Sequence, residues 1–169
     1  MPYTDHIFTD YRRRCAELEA STNPFAEGIA WVGGEYVPVS EAKIPLLDQG
    51  FLKSELTYDG PAVWNGRFFR LDEHLDRLEA SMKKLRLTSP IPRQEIRDRL
   101  VEMVSLSGIR DAYVMVIVTR GLRYLRQYAP EDCPNHCYLM VTPYLWVMGE
   151  DIQKAGGSAG SARPARRLP

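Results

Sequence analysis

Long apolar runs are missing from this 169-residue sequence, so nothing in it has the length of a membrane-spanning helix. The opening residues, MPYTDHIFTDYRRR, lack the apolar core of a secretory leader, and none is expected. Cysteine is scarce. Cys15, Cys133 and Cys137 form no disulfide framework and fit a reducing, cytoplasmic setting. An excess of either charge is also absent. Lys plus Arg and Asp plus Glu number 22 each, which argues against a general nucleic-acid binder. There is no Walker loop and no G-x-G-x-x-G, so phosphate-binding glycine loops are not expected, and no serine-nucleophile elbow is expected either. Cys133, His136 and Cys137 offer three soft ligands where a closed zinc site needs four, so no metal is expected and Cys137 reads as a small buried strand residue.

What is there is periodic. In RLDEHLDRLEAS (70–81) and beyond it, Leu71, Leu75, Leu78, Met82 and Leu85 alternate steps of four and three, one apolar stripe of a helix. Asp72 reads as its N-cap and Glu73 adds acid to the first turn. At about 100° per residue, Arg70, His74, Arg77, Ser81 and Lys84 fall in a polar row beside the stripe. Arg77 is a candidate to hold an anion, since a guanidinium is a planar fork of donors that stays charged. The plainer reading is that Arg77 pairs with Glu73 on a solvated face.

Around this helix the elements alternate. YRRRCAELEA reads as a first helix, broken at 21–24 by SerThrAsnPro. Gly28–Val32 and Tyr36–Val39 read as strands joined at Gly33-Gly34, and Ser40–Gly50 as a connector ending in LLDQG. Thr57–Trp64 is extended with a Gly60-Pro61 interruption, and Asn65-Gly66 is a strong hairpin turn. Ile96, Leu100, Met103 and Val104 mark a second amphipathic helix ended by Gly108. DAYVMVIVTR (111–120) reads as a central strand covered on both faces, and HCYLMVTPY (136–144) as another buried strand. Arg120, Arg123 and Arg126 sit in or beside the loop between them, where ligands often bind. Tyr58 reads either as a cleft residue or as core. From 153 on, QKAGGSAGSARPARRLP reads as disordered by composition. The order is that of an α+β layer fold, a sheet with helices on one side.

Taken together, IPLLDQGFLKSELTYDGPAVWNGRFFRLDEHLDRLEASMKKLRL, SGIRDAYVMVIVTRGL and YLMVTPYLWVM resemble class IV (fold type IV) aminotransferases. These are pyridoxal-phosphate enzymes, and the match is nearest to (R)-selective amine transaminases and branched-chain aminotransferase-like proteins. D-x-G-F, Y-D and H-L-x-R-L carry the resemblance, which runs from about residue 6 to 159. It implies the small N-terminal α/β sandwich domain of that fold over 1–145, an interdomain linker over 146–159 and an aberrant tail over 160–169. It implies pyridoxal 5′-phosphate as cofactor, an amine or amino-acid donor, a keto-acid acceptor and a homodimer. The arginine of H-L-x-R-L binds the cofactor phosphate in the family, which points to Arg77. The substrate side would be Tyr58, Lys53, Tyr113, Met115 and Arg126. His74 and Ser81 would only fix the helix.

The sequence departs from that pattern. Lys53 stands where histidine is usual, Gly60 where a β-branched residue is, and Tyr124-Leu125 where Gly-Val is common. None of Lys43, Lys53, Lys83, Lys84 and Lys154 matches the family's catalytic lysine. The likeness stops after GGSA (156–159), and GSARPARRLP reads like a shifted frame. The expectation is a truncated transaminase, inactive alone. Its rivals are a non-catalytic fragment pairing with an intact subunit, an aminodeoxychorismate-type lyase and a badly folding remnant.

Overall fold

The computed structural model describes residues 5–123 and 129–161. Helix α1 spans Asp5–Glu19. Strands β1 (Ile29–Val32) and β2 (Glu35–Pro38) form a hairpin through Gly33 and Gly34, both at positive φ as the tight turn requires. A 3₁₀ turn (Val39–Glu41) leads to a short helix, α2 (Gln49–Lys53). Strands β3 (Leu56–Asp59), β4 (Ala62–Trp64) and β5 (Arg67–Phe68) precede helices α3 (Leu71–Leu85) and α4 (Arg93–Ser107). Strand β6 (Ala112–Thr119), a 3₁₀ turn (Pro130–Asp132), strand β7 (His136–Pro143) and helix α5 (Glu150–Ala155) complete the described chain.

The strands make one antiparallel sheet in the order β2-β1-β7-β6-β4-β5, with β3 also on β6. β6 is its axis. Val116 stands opposite Leu139 of β7 on one side and Asp59 of β3 on the other. Strand alternation sends Ala112, Val114, Val116 and Val118 to the face where α3 and α4 lie, and all four are wholly buried. The helices meet them with Leu71, Leu75 and Leu78, and with Ile96, Leu100 and Met103. Truncating a fully buried side chain such as Leu100 costs about 2–5 kcal/mol in cores of this kind.

Several expectations need correction. β6 is covered on one face only. On the other face Tyr113 is 40% exposed and Met115 and Ile117 are half-buried, and only Thr119 at its far end is closed off, by Asp48 and Gly50. Asp72 is not the cap of α3. Arg70 holds that place in the left-handed region (φ 51°), with no side-chain cap, and Asp72 instead meets Arg93 and Arg97. The connector read as running to Gly50 ends earlier, since α2 begins at Gln49 with Asp48 as its cap, accepting from Gly50 N at 2.8 Å. The tail read as disordered is helical over Gln153, Lys154 and Ala155, held by contacts with α1 that composition cannot reveal.

Candidate functional site

Two adjacent strand residues and one helix build the site. In β3, Tyr58 and Asp59 point to opposite faces because the strand period is two. Tyr58 lies on the open face, 58% exposed, while Asp59 turns toward α3 and is 4% exposed. The three-residue step from His74 to Arg77 presents both side chains to that buried carboxylate. Arg77 donates from Nε to Asp59 Oδ2 at 2.7 Å and from Nη2 to Oδ1 at 2.8 Å. His74 Nδ1 donates to Oδ1 at 2.6 Å, so Nδ1 carries the proton. Gly60 N donates to the same oxygen at 2.8 Å.

Burial pushes the Asp59 carboxyl up, but the hydrogen bonds from Arg77 and His74 outweigh it and hold it below its ordinary value of 3.8. Asp59 in turn raises Arg77, whose charge is fixed. The expected Arg77–Glu73 pair does not form; Glu73 pairs with Arg70 at 3.0 Å. The Arg77 side chain is 67% exposed, and its Nη1 has no hydrogen-bond partner among the described residues. Ser81 Oγ donates to Arg77 O at 2.9 Å, in keeping with a helix-fixing role.

The other predicted residues are distributed unevenly. Tyr58, Tyr113 and Met115 share the open sheet face, on the opposite side of β3 and β6 from Asp59. Tyr58 and Met115 stand opposite Ile117 and Met140, which with Phe51, Leu56 and Tyr138 line a largely apolar cleft of about 360 Å³. Lys53, the last residue of α2, is exposed and makes no ion pair with a described residue. Arg126 lies outside the described residues. Arg120 is a correction to the loop-arginine reading. It is 8% exposed, donates to the terminal carbonyls of α3 at Leu85 (2.7 Å) and Arg86 (2.6 Å), and pairs with Glu55.

Sequence reasoning missed Asp59, the residue that organises the site. It also missed a second buried carboxylate, Asp48, whose Oδ2 accepts from Thr119 Oγ1 (2.9 Å), Tyr138 OH (2.8 Å) and His136 Nδ1 (2.9 Å). Burial raises Asp48, and these bonds with Gly50 N more than reverse it, leaving it below its ordinary value. The D-x-G spacing was the available signal. A Cβ on Gly50 would fall 2.6 Å from Thr119 Cγ2, so only glycine fits there. Burial pushes the Cys137 thiol up to about 12, which leaves it protonated and unreactive. Among the described residues no group of three His, Cys, Asp or Glu is placed to hold a metal, and no helix is long and apolar enough to cross a membrane.

An antiparallel sheet with α3 and α4 on one side agrees with what the wider comparisons find. The family described as amino-transferase class IV matches residues 57–169, and the chain belongs to it. A putative branched-chain-amino-acid aminotransferase of Methanocaldococcus jannaschii is 31% identical over 140 residues, which cover 82% of this chain and 46% of that one. A D-alanine aminotransferase of Listeria monocytogenes is 33% identical over 138 residues, covering 81% and 48%. Among solved structures, the branched-chain aminotransferase from the thermophilic archaeon Thermoproteus uzoniensis with norvaline superposes with a TM-score of 0.55 at 25% identity, over 69% of this chain and 40% of that one. A 4-amino-4-deoxychorismate lyase from Pseudomonas aeruginosa gives 0.54 at 26% identity, over 75% and 44%. The chain thus spans about half the length of the curated relatives it matches.

Proposed function

We propose that this chain supplies one half of a pyridoxal-phosphate aminotransferase site, the half that anchors the cofactor phosphate and faces the substrate. The single observation that carries this reading is the Asp59–Arg77 clamp. It fits a phosphate group because Nε and Nη2 are tied back to Asp59 while Nη1 is left outward on a 67% exposed side chain. Asp59 fixes the plane of the guanidinium and balances its charge, so Arg77 orients a phosphate more than it attracts one. Further donors must come from beyond these residues. Tyr58, Tyr113 and Met115 form the substrate wall on the open face, Lys53 stands at its rim, and Arg126 is kept as a substrate-carboxylate residue by resemblance.

Bound pyridoxal phosphate supplies an electron sink for charge at the substrate carbon. This chain's residues hold and orient that group and shape the wall beside it. The proton-moving lysine is not among them, since none of the five lysines matches its place. On this reading residues 1–145 are the small domain and 146–159 the linker. Amino transfer runs from an amine or amino acid to a keto acid, and the homodimer and cytoplasmic setting follow from the resemblance. By itself the 169-residue chain binds the cofactor weakly and does not turn over. An assay of purified chain with an amine donor, pyruvate and pyridoxal phosphate tests this, and alanine formation contradicts it.

The lyase reading is kept because the lyase neighbour is as similar in identity and coverage as the aminotransferase one. Amine-donor assays on a longer version that carries a catalytic lysine separate the two.

A further inference from the structure

Helix α1 lies before the segment that matches the family, and nothing assigned so far uses it. It is largely solvated, with Phe8 its one buried residue. Its aromatic contacts, and the ion pairs of Asp5 and Arg12, go to the stretch that follows β7, while Leu18 packs on the main core. Trp146 is the key. Its ring is surrounded by Phe8 (5.7 Å between centroids) and Tyr11 (6.1 Å) of α1, by Trp64 (5.9 Å) of β4 and by its neighbour Tyr144 (5.2 Å). These separations suit tilted and edge-on aromatic pairs. The indole Nε1 is buried with no hydrogen-bond partner among the described residues, so ring packing is what places the side chain there.

Polar contacts repeat the pairing. Tyr11 OH donates to Tyr144 O at 2.5 Å. Arg12 pairs with Glu150, and Lys154 joins Asp5 at 2.5 Å and Glu150 at 2.7 Å. The Lys154 ammonium also lies 5.8 Å from the centre of the Phe8 ring. Elsewhere α1 is fastened by Arg14 to Asp111, at the start of β6. On the sheet side, Ala62 of β4 pairs with Tyr113, and Trp64, two residues on, shares its face. Trp64 therefore ties the aromatic cluster to the end of the open face that carries Tyr113.

We propose that α1 and the segment from Tyr144 to Ala155 form a two-part strap, keyed by Trp146, that docks and undocks as one unit. Docked, it walls one end of the open sheet face and fixes the direction in which the chain leaves β7. Undocked, it frees that segment while the β6–β7 core stays formed, since the fully buried core residues of the helices lie on α3 and α4, and α1 adds only the partly buried Leu18 at its margin. The ion pairs are exposed and contribute little each, so the rings carry the docking. The proposal does not depend on cofactor binding.

Hydrogen–deuterium exchange on the full chain tests it with two variants, one from each half. Phe8→Ala should speed exchange in residues 144–155 as well as in α1 by about tenfold. Trp146→Ala should speed exchange in α1 in the same way. Amides of β6 and β7 should be unchanged in both. Loosening of only the half that carries the substitution would overturn the proposal, because the halves would then be independent. Equal loosening of β6 and β7 would also overturn it, because the strap would then be part of one global unit.

Discussion

Arg77 holds Asp59 through two nitrogens, at 2.7 and 2.8 Å, so that a surface helix carries its charged group on a carboxylate buried behind the neighbouring strand. This arrangement separates two jobs. Nε and Nη2 fix the geometry, and Nη1 has no hydrogen-bond partner among the described residues. Because Asp59 is 4% exposed, the anchor is shielded from water and salt to a degree that a surface pair such as Arg70–Glu73 is not.

Replacing Asp59 by Asn keeps its size and removes its charge. The bonds from Arg77 and His74 to a charged acceptor are then lost. The expected cost is about 1.5–3 kcal/mol in unfolding free energy, by the usual worth of hydrogen bonds to charged groups. Urea unfolding of Asp59→Asn beside the parent measures it. A midpoint unchanged from the parent would show that the clamp adds nothing to the fold.

Stability should also depend on pH through Asp59 and Asp48. Both carboxyls lie below their ordinary value of 3.8 in the folded chain, where hydrogen bonds to the charged form outweigh burial. Their stabilisation is therefore complete above pH 3.8 and declines below it, until the folded values are passed. Urea midpoints measured from neutral pH downward should fall in that acid window. Asp48→Asn and Asp59→Asn should each start lower and fall less steeply there.

Gly50→Ala should destabilise by about 1–3 kcal/mol, the usual range for overpacking. The added carbon would sit 2.6 Å from Thr119 Cγ2 and 2.8 Å from Thr119 Cβ, beside the Asp48 network. Thermal melting reads the loss. Thr119→Ser removes the nearer carbon, keeps the hydroxyl that bonds Asp48, and should restore part of the loss in the double variant.

Much of the fold was legible in the sequence. Leu71, Leu75 and Leu78 announced the buried stripe of α3, and Asn65-Gly66 announced the β4–β5 turn, because both are local patterns. Arg77 was marked by resemblance, but its partner was misread, since Glu73 is near in sequence and Asp59 only in space. Strand alternation could say that Tyr58 and Asp59 face opposite ways, but not which of them faces the helices. The short helix α5 was missed for a similar reason. Lys154 and Glu150 meet Asp5 and Arg12 of α1, contacts across the chain that no local pattern records. Arg120 looked like a loop residue. It is instead a staple on the last carbonyls of α3, a use that depends on where the helix ends in space.

The most direct test of the central claim compares pyridoxine 5′-phosphate with pyridoxine. Neither has the aldehyde that would react with surface lysines, and they differ only in the phosphate. Chemical-shift titration of the full chain should show the phosphorylated form binding at least about tenfold tighter, with the largest shifts at Arg77, Asp59 and His74. Arg77→Ala should remove that preference in titrations run well below its melting temperature, which falls because buried Asp59 loses two hydrogen bonds. Equal affinity for the two compounds, or a preference that survives Arg77→Ala, would contradict the assignment of Arg77 as the phosphate anchor.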